Sequence, residues 1–295
     1  MSYGKQFREL LDSDNLVIAP GTHDPLSARV AEQVGFEMIS MTGNGTSVSK
    51  LGEPDVGLIT LPEMVENAAN IQETVDVPLL ADADNGYGNA VNVARTVREF
   101  AKAGVAGIHI EDQVFPKRCG FVEGKQVISR EEAIGKFRAA ADTRDTYDEE
   151  MVLVARTDAK DSPKGDLEEA IERANDYCDA GADVAFVQGA ANEEELERIG
   201  RSVDAPLVYN CSGGSPIIPY EQAEQWGYDV VMFPRMSMNP AIAALFEAYQ
   251  GLADGGMDGW REVRGALNDL PFENYDEFSG VPEILEFEAE YLPDE

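Results

Sequence analysis

The chain is short of positive charge. Its 295 residues carry 23 Lys and Arg against 56 Asp and Glu, a net charge of −33, and no lysine lies beyond Lys164. This excludes DNA, RNA and anionic membrane surfaces as expected partners. Cysteine is scarce and odd in number: Cys119, Cys178 and Cys211 are too widely spaced for a disulfide framework or a paired zinc motif. His23 and His109 are the only histidines, so a Ser-His-Asp hydrolase has little to work with. His109 lies inside an apolar run and reads as a satisfied core group. No apolar stretch reaches the ~18 to 20 residues of a membrane span. The N-terminus runs straight into polar sequence without a signal peptide, and a cytoplasmic protein is expected.

Apolar runs are plentiful. Segments such as Val77-Pro78-Leu79-Leu80 and Val230-Val231-Met232-Phe233 recur in a chain that is 43% hydrophobic, which excludes disorder as the meaning of the high charge. The composition reads as a globular enzyme with a carboxylate-covered surface. It resembles proteins of salt-loving cytoplasms, where molar salt screens charge beyond about 3 Å. A merely acidic mesophilic protein is the alternative.

A unit repeats: an amphipathic segment ends at a glycine, and a short apolar run follows. Val34-Gly35-Phe36, Ala103-Gly104-Val105, Ala180-Gly181-Ala182 and Trp226-Gly227-Tyr228 are instances. Eight apolar runs fall near 16–20, 37–41, 77–82, 105–111, 151–156, 182–188, 205–210 and 228–233. Helical patterns lie near 25–34, 61–74, 89–103, 130–142, 166–180, 192–201, 219–226 and 239–251. Strands alternating with helices predict a parallel sheet, and eight repeats predict an α/β fold of the (β/α)8 TIM-barrel type over 1–255. A flavodoxin-like or Rossmann sheet is the runner-up, but no Gly-x-Gly-x-x-Gly follows the first strand. Residues 256–295 form an acidic C-terminal segment bearing Phe272, Tyr275, Phe278, Phe287 and Tyr291. It either solvates freely or docks as extra helices on a neighbouring subunit.

In such barrels the active site forms at the C-terminal strand ends. Here these carry Thr42-Gly43-Asn44, Asp82-Ala83-Asp84, Glu111-Asp112, Arg156-Thr157-Asp158, Gln188 and Asn210-Cys211-Ser212. Converging carboxylates repel unless a cation lies among them, and hard oxygen donors suit magnesium or manganese. Asp84 is the expected direct ligand, with Asp82 and Glu111 close by or holding metal-bound waters. A buried ion-pair network neutralised by Arg156 is the alternative. The loop Pro116-Lys117-Arg118-Cys119-Gly120 sets a thiol beside two cations, an arrangement that favours an acidic, reactive cysteine. Cys178, within a helical pattern, reads as packing.

Five segments, taken in order, resemble the isocitrate lyase and phosphoenolpyruvate mutase superfamily over about 5–255, nearest to its short 2-methylisocitrate lyase branch. They are Gly52-Glu53-Pro54-Asp55-Val56-Gly57, Asp82-Ala83-Asp84-Asn85-Gly86-Tyr87-Gly88, His109-Ile110-Glu111-Asp112-Gln113, Lys117-Arg118-Cys119-Gly120 and Ala155-Arg156-Thr157-Asp158-Ala159. The resemblance implies a Mg-dependent lyase cleaving 2-methylisocitrate or isocitrate to succinate plus pyruvate or glyoxylate by retro-aldol chemistry. Asp82, Asp84 and Glu111 then correspond to the metal set. Thr42, Gly43 and Asn44 match the loop that holds the oxo-acid carboxylate, and Asp55 a substrate-side aspartate. Arg156 matches the arginine that holds a carboxylate or oxyanion. Cys119 matches the general acid, with Lys117 and Arg118 tuning it and Gly120 beside it. Asn210, Ser212 and Ser215 match the succinate site, near Gln188. The resemblance also implies a homodimer or homotetramer with exchanged C-terminal helices, acting on small di- or tricarboxylates.

Three positions depart from the pattern: Phe121 replaces a histidine, Gln188 a glutamate, and Asn239 an arginine beyond strand 8. Oxaloacetate decarboxylation, alkylmalate cleavage, phosphonate P–C chemistry and a non-catalytic barrel remain as alternatives. Cys119 counts against the decarboxylase and phosphonate readings, which have no use for a protonating thiol.

Overall fold

The apolar runs become strands in the computed structural model, which describes residues 2–13, 15–120, 124–266, 270–271 and 274–293. They are β1 (Val17–Thr22), β2 (Ile39–Met41), β3 (Leu79–Asp82), β4 (Gly107–Glu111), β5 (Val152–Thr157), β6 (Val184–Val187), β7 (Leu207–Asn210) and β8 (Val230–Phe233). All are parallel to their neighbours and close in sequence order, with β8 returning to β1 through the pairs Val17–Val230 and Ala19–Met232. The eight expected runs agree with these strands to within two residues at either end.

The helices are α1 (Tyr3–Leu11), α2 (Pro25–Val34), α3 (Gly43–Leu51), α4 (Leu61–Gln72), α5 (Ala90–Lys102), α6 (Arg130–Tyr147), α7 (Leu167–Asp179), α8 (Glu193–Ser202), α9 (Tyr220–Trp226), α10 (Met238–Gly255), α11 (Met257–Arg264), α12 (Tyr275–Ser279) and α13 (Val281–Tyr291). Gly35 and Gly227 end α2 and α9 with φ of 101° and 94°, left-handed backbone that a side chain would strain. The chain then reverses directly into the next apolar segment.

Two helices were not expected. α1 is short and polar, and its Phe7 is fully buried in the interior cluster with Leu80, Val152 and Val184. α3 occupies the Gly-rich segment expected as a loop. Thr42 caps it, its hydroxyl accepting from the Gly45 amide at 3.3 Å. The glycines serve close approach rather than loop freedom: a Cβ at Gly43 would lie 2.4 Å from Asp82 Oδ2.

Strand alternation sorts side chains between two surroundings. Val17, Ala19, Val152, Val154, Val184, Phe186, Val230 and Met232 share the barrel interior. Leu153, Ala155, Ala185 and Val231 face the helices. The chain forms two compact units, Met1–Met238 and Asn239–Glu295, so the division falls before the boundary at 255 expected from the sequence. In the second unit α10 exposes Ile242, Leu245, Phe246 and Tyr249, and α13 exposes Ile284, Leu285, Phe287 and Tyr291. Among the described residues no helix is long and apolar enough to cross a membrane.

Candidate active site

The interior alternation turns from apolar to polar as each strand reaches its C-terminal end. β5 runs Val152, Val154, Arg156; β6 runs Val184, Phe186, then Gln188; β3 and β4 add Asp82, His109 and Glu111. Register sets Asp82 beside His109 and Glu111 beside Arg156. A cavity of about 50 Å³ opens there. Thr42, Asn44, Asp55, Asp82, Cys119 and Gly120 line it, with Arg156, Gln188, Asn210 and Ser212.

Asp82 is held by backbone. Its Oδ2 accepts from the Gly43 amide at 3.1 Å and its Oδ1 from the Asp84 amide at 2.9 Å. Asp84 stands on left-handed backbone, φ 48°, as does Tyr87 at 60°. The Lys117 ammonium lies 2.6 Å from Asp55 Oδ1 and 2.5 Å from Asp84 Oδ1. Burial favours neutral Lys117, but Asp84 and Asp55 outweigh it and hold the amine well above its usual range. Burial pushes Asp84 up to about 6, with Asp82 and Asp55 reinforcing it against Lys117. Glu111 is raised well above the carboxylate range by burial, despite Arg156 and Lys117.

These oxygens fit a hard divalent cation. Glu111 Oε1 is buried without a hydrogen-bond partner, and Asp84 Oδ1 faces only the Lys117 ammonium. Among the described residues no three His, Cys, Asp or Glu side chains converge into a closed cage. Magnesium does not require one, since it keeps several waters and uses one or two carboxylates. Asp84, with Asp82 and Glu111, is the set that would hold it.

Arg156 is gripped from two sides. Its Nε and Nη2 donate to Asp158 Oδ2 and Oδ1 at 2.9 and 3.1 Å, and Glu111 Oε2 lies 3.4 Å from Nη1. The guanidinium stands 5.1 Å over the Phe186 ring. Gly120 packs here, since a Cβ on it would meet Arg156 Nη2 at 2.5 Å and Gln188 Cδ at 3.0 Å. Gln188 Oε1 accepts from Asn210 Nδ2 at 2.9 Å, joining β6 to β7.

Several sequence expectations change. Lys117 spends its ammonium on Asp55 and Asp84 rather than on the Cys119 thiol. Arg118 is exposed, and Gln113 holds its backbone through two 2.9 Å hydrogen bonds. Cys119 is half-buried, and its amide donates to the Asp55 carbonyl at 3.1 Å. Ser215 does not line the cavity; its hydroxyl donates to the Asn210 carbonyl at 2.9 Å and closes a turn. His109 is not a satisfied core group: it lines the cavity, its Nδ1 lacks a hydrogen bond, and burial lowers its pKa. Burial pushes the Cys178 thiol up to about 12, with Asp183 and Asp179 adding to it, in keeping with a packing role. Phe121 lies outside the described residues.

Asp112 parts company with Glu111. Its Oδ2 accepts from Thr157 Oγ1 at 2.8 Å, Tyr177 OH at 2.8 Å and Arg173 Nη1 at 3.2 Å, and its Oδ1 from the Asp158 amide at 2.9 Å. It belongs to the barrel–helix layer. The sequence reading also missed Arg235, which follows β8 and lines the cavity. Among the described residues it has no ion pair. Asn239, the expected departure beyond strand 8, falls in the second unit.

Comparison with known proteins agrees with this geometry. A family model described as phosphoenolpyruvate phosphomutase matches residues 7–253. A 2,3-dimethylmalate lyase of Eubacterium barkeri is 40% identical over 99% of both chains. A 2-methylisocitrate lyase of Aeropyrum pernix is 42% identical over 82% of this chain and 77% of its own. An oxaloacetate acetylhydrolase in complex with the inhibitor 3,3-difluorooxalacetate superposes with a TM-score of 0.90 at 38% identity, covering 98% of this chain and 97% of the other. A phosphonopyruvate hydrolase complex with oxalate and Mg++ does so at 0.86 and 30% identity, covering 99% and 100%. The chain is therefore an enzyme of the phosphoenolpyruvate mutase and isocitrate lyase superfamily.

Proposed function

We propose that the chain is a magnesium-dependent carbon–carbon lyase that splits a small 2-hydroxy dicarboxylate of the alkylmalate type into a 2-oxo acid and a carboxylic acid. One observation carries the reading: Asp82, a half-buried thiol, Cys119, and Arg156 line one cavity, and buried Asp84 and Glu111 stand directly behind Asp82 and Arg156. Bound magnesium would polarise the 2-hydroxyl and its neighbouring carboxylate. Asp55 lines the cavity outside the metal set and is placed to take the hydroxyl proton. The C2–C3 bond then breaks, C2 becomes the oxo carbon, and the electron pair moves onto C3 and the distal carboxylate. Arg156 stabilises that charge, and Cys119 gives its proton to C3.

Charge supports a dicarboxylate. Arg156 is shared by Asp158 and Glu111, and Lys117 by Asp55 and Asp84. Arg235 is the cavity-lining cation among the described residues that no carboxylate already balances. It suits one distal carboxylate, whereas isocitrate or 2-methylisocitrate brings two. A second reading keeps those tricarboxylates, since Asn210 and Ser212 can donate hydrogen bonds to the extra group.

The test is turnover with Mg2+ of 2,3-dimethylmalate, 2-methylisocitrate, isocitrate and oxaloacetate. Turnover of oxaloacetate alone would sink the lyase reading. With the preferred substrate, Arg235→Ala should raise KM by about 10- to 100-fold, the worth of a charge-assisted hydrogen bond, and leave kcat within a few-fold. An unchanged KM would remove Arg235 from recognition. The same reading includes a cytoplasmic, salt-adapted enzyme working as a homodimer or homotetramer. The apolar faces of α10 and α13 support docking of the C-terminal segment on a second copy.

A further inference from the structure

One buried amine has no part in the reaction just described. Lys125 is 2% exposed, and its ammonium donates to the Gly120 carbonyl at 2.6 Å, to Asp158 Oδ1 at 3.0 Å and to Asp161 Oδ2 at 3.1 Å. An ammonium has three N–H donors, and all three are used. Two of the acceptors belong to the site. Gly120 directly follows Cys119, and its alpha carbon packs against Arg156 and Gln188 so closely that no side chain fits. Asp158 is the carboxylate that orients Arg156 through two hydrogen bonds, and the same Oδ1 serves both cations.

We infer that Lys125 is a positioning residue, which fixes the backbone beside Cys119 onto the Asp158–Arg156 pair. The inference rests on the proposed lyase reading for its purpose. In that reaction the carbon to be protonated carries the charge that Arg156 stabilises. Thiol and guanidinium must therefore address one small fragment from a fixed separation. Among the described residues no hydrogen bond or ion pair joins the two directly. Lys125 supplies the connection, bonding to the chain next to one and to the partner of the other. Asp158 profits as well: burial would raise its carboxyl, but Arg156 and Lys125 outweigh this and hold it down to about 2. It thus stays ionised as the hinge between the two cations.

A merely structural lysine would affect stability alone. The discriminating experiment is the rate of Cys119 alkylation by iodoacetamide, read peptide by peptide, with Cys178 and Cys211 as internal references. It needs no substrate, so it stands apart from the lyase assignment. Lys125→Met should alkylate at Cys119 at least about tenfold faster, with the other two cysteines unchanged. An unchanged Cys119 rate would overturn the inference. Where substrate turnover is available, a displacement of about 1 Å is worth ~100-fold, so kcat should fall by that order with KM nearly constant. Lys125→Arg should recover part of the loss. If Lys125→Met fails to fold, Asp161→Asn removes one of the three contacts. It should then give a smaller acceleration at Cys119, and no acceleration there would equally overturn the inference.

Discussion

Cys119→Ser should lower cleavage turnover by about three orders of magnitude while leaving substrate affinity nearly unchanged. A positioned general acid is worth ~100- to 10,000-fold, and the serine hydroxyl is far too weak an acid to replace a thiol at C3. The substitution is close to isosteric, so the half-buried site keeps its packing and the amide bond to the Asp55 carbonyl. The effect should therefore appear in kcat and not in KM, the mark of an interaction used in the transition state. Steady-state kinetics with Mg2+, combined with calorimetric binding of oxalate to wild type and variant, separates the two. Near-normal kcat in a metal-loaded Cys119→Ser enzyme would mean that another group protonates the carbanion.

The second large effect concerns stability. Asp112→Ala should cost about 3 to 5 kcal/mol, the range for removing one partner of a buried ion pair. Four hydrogen bonds converge on this carboxylate, from Thr157, Tyr177, Arg173 and the Asp158 amide. Without it the Arg173 guanidinium, 6% exposed, keeps Glu169 as its one carboxylate beside the Ile128 carbonyl and the Tyr177 hydroxyl, and that hydroxyl loses its acceptor. Urea unfolding should show a lower midpoint at an unchanged slope. Asp112→Asn keeps an acceptor at the site and should lose less. An alanine variant as stable as wild type would show that the network contributes nothing net.

Glu111 and Asp112 also show where sequence reasoning reaches and where it stops. Their strand, and its place in an eightfold alternation, follow from the run Val105 to Ile110. The acidic pair at its end then reads as one feature. Strand geometry separates the two, because adjacent residues face opposite sides of a barrel wall. Glu111 meets Arg156 in the interior, and Asp112 meets the helices. The same alternation made Asp82, Arg156 and Gln188 legible as cavity residues. Loops offer no such period. Lys117 reads as a neighbour of Cys119, yet its long side chain reaches Asp55 and Asp84 instead. Arg235 sits just past β8 in a stretch without pattern, and only the closed barrel brings it to the cavity. Thr42-Gly43-Asn44 reads as a loop because glycine signals turns, whereas here small size lets α3 start against Asp82.

The left-handed backbone at Asp84 has a consequence for how this enzyme tolerates change. Such a conformation costs a non-glycine residue about 1 to 2 kcal/mol, and aspartate bears it better than most. A carboxylate there is also buried against its own kind, which is why it is pushed up to about 6. Relief of backbone strain alone would favour glycine or asparagine at this position, but either would leave the buried Lys117 ammonium with Asp55 as its remaining carboxylate partner. Backbone strain and ion pairing are thus set against each other at a single residue, and a screen for hardier variants is expected to keep Asp84 unless Lys117 changes with it.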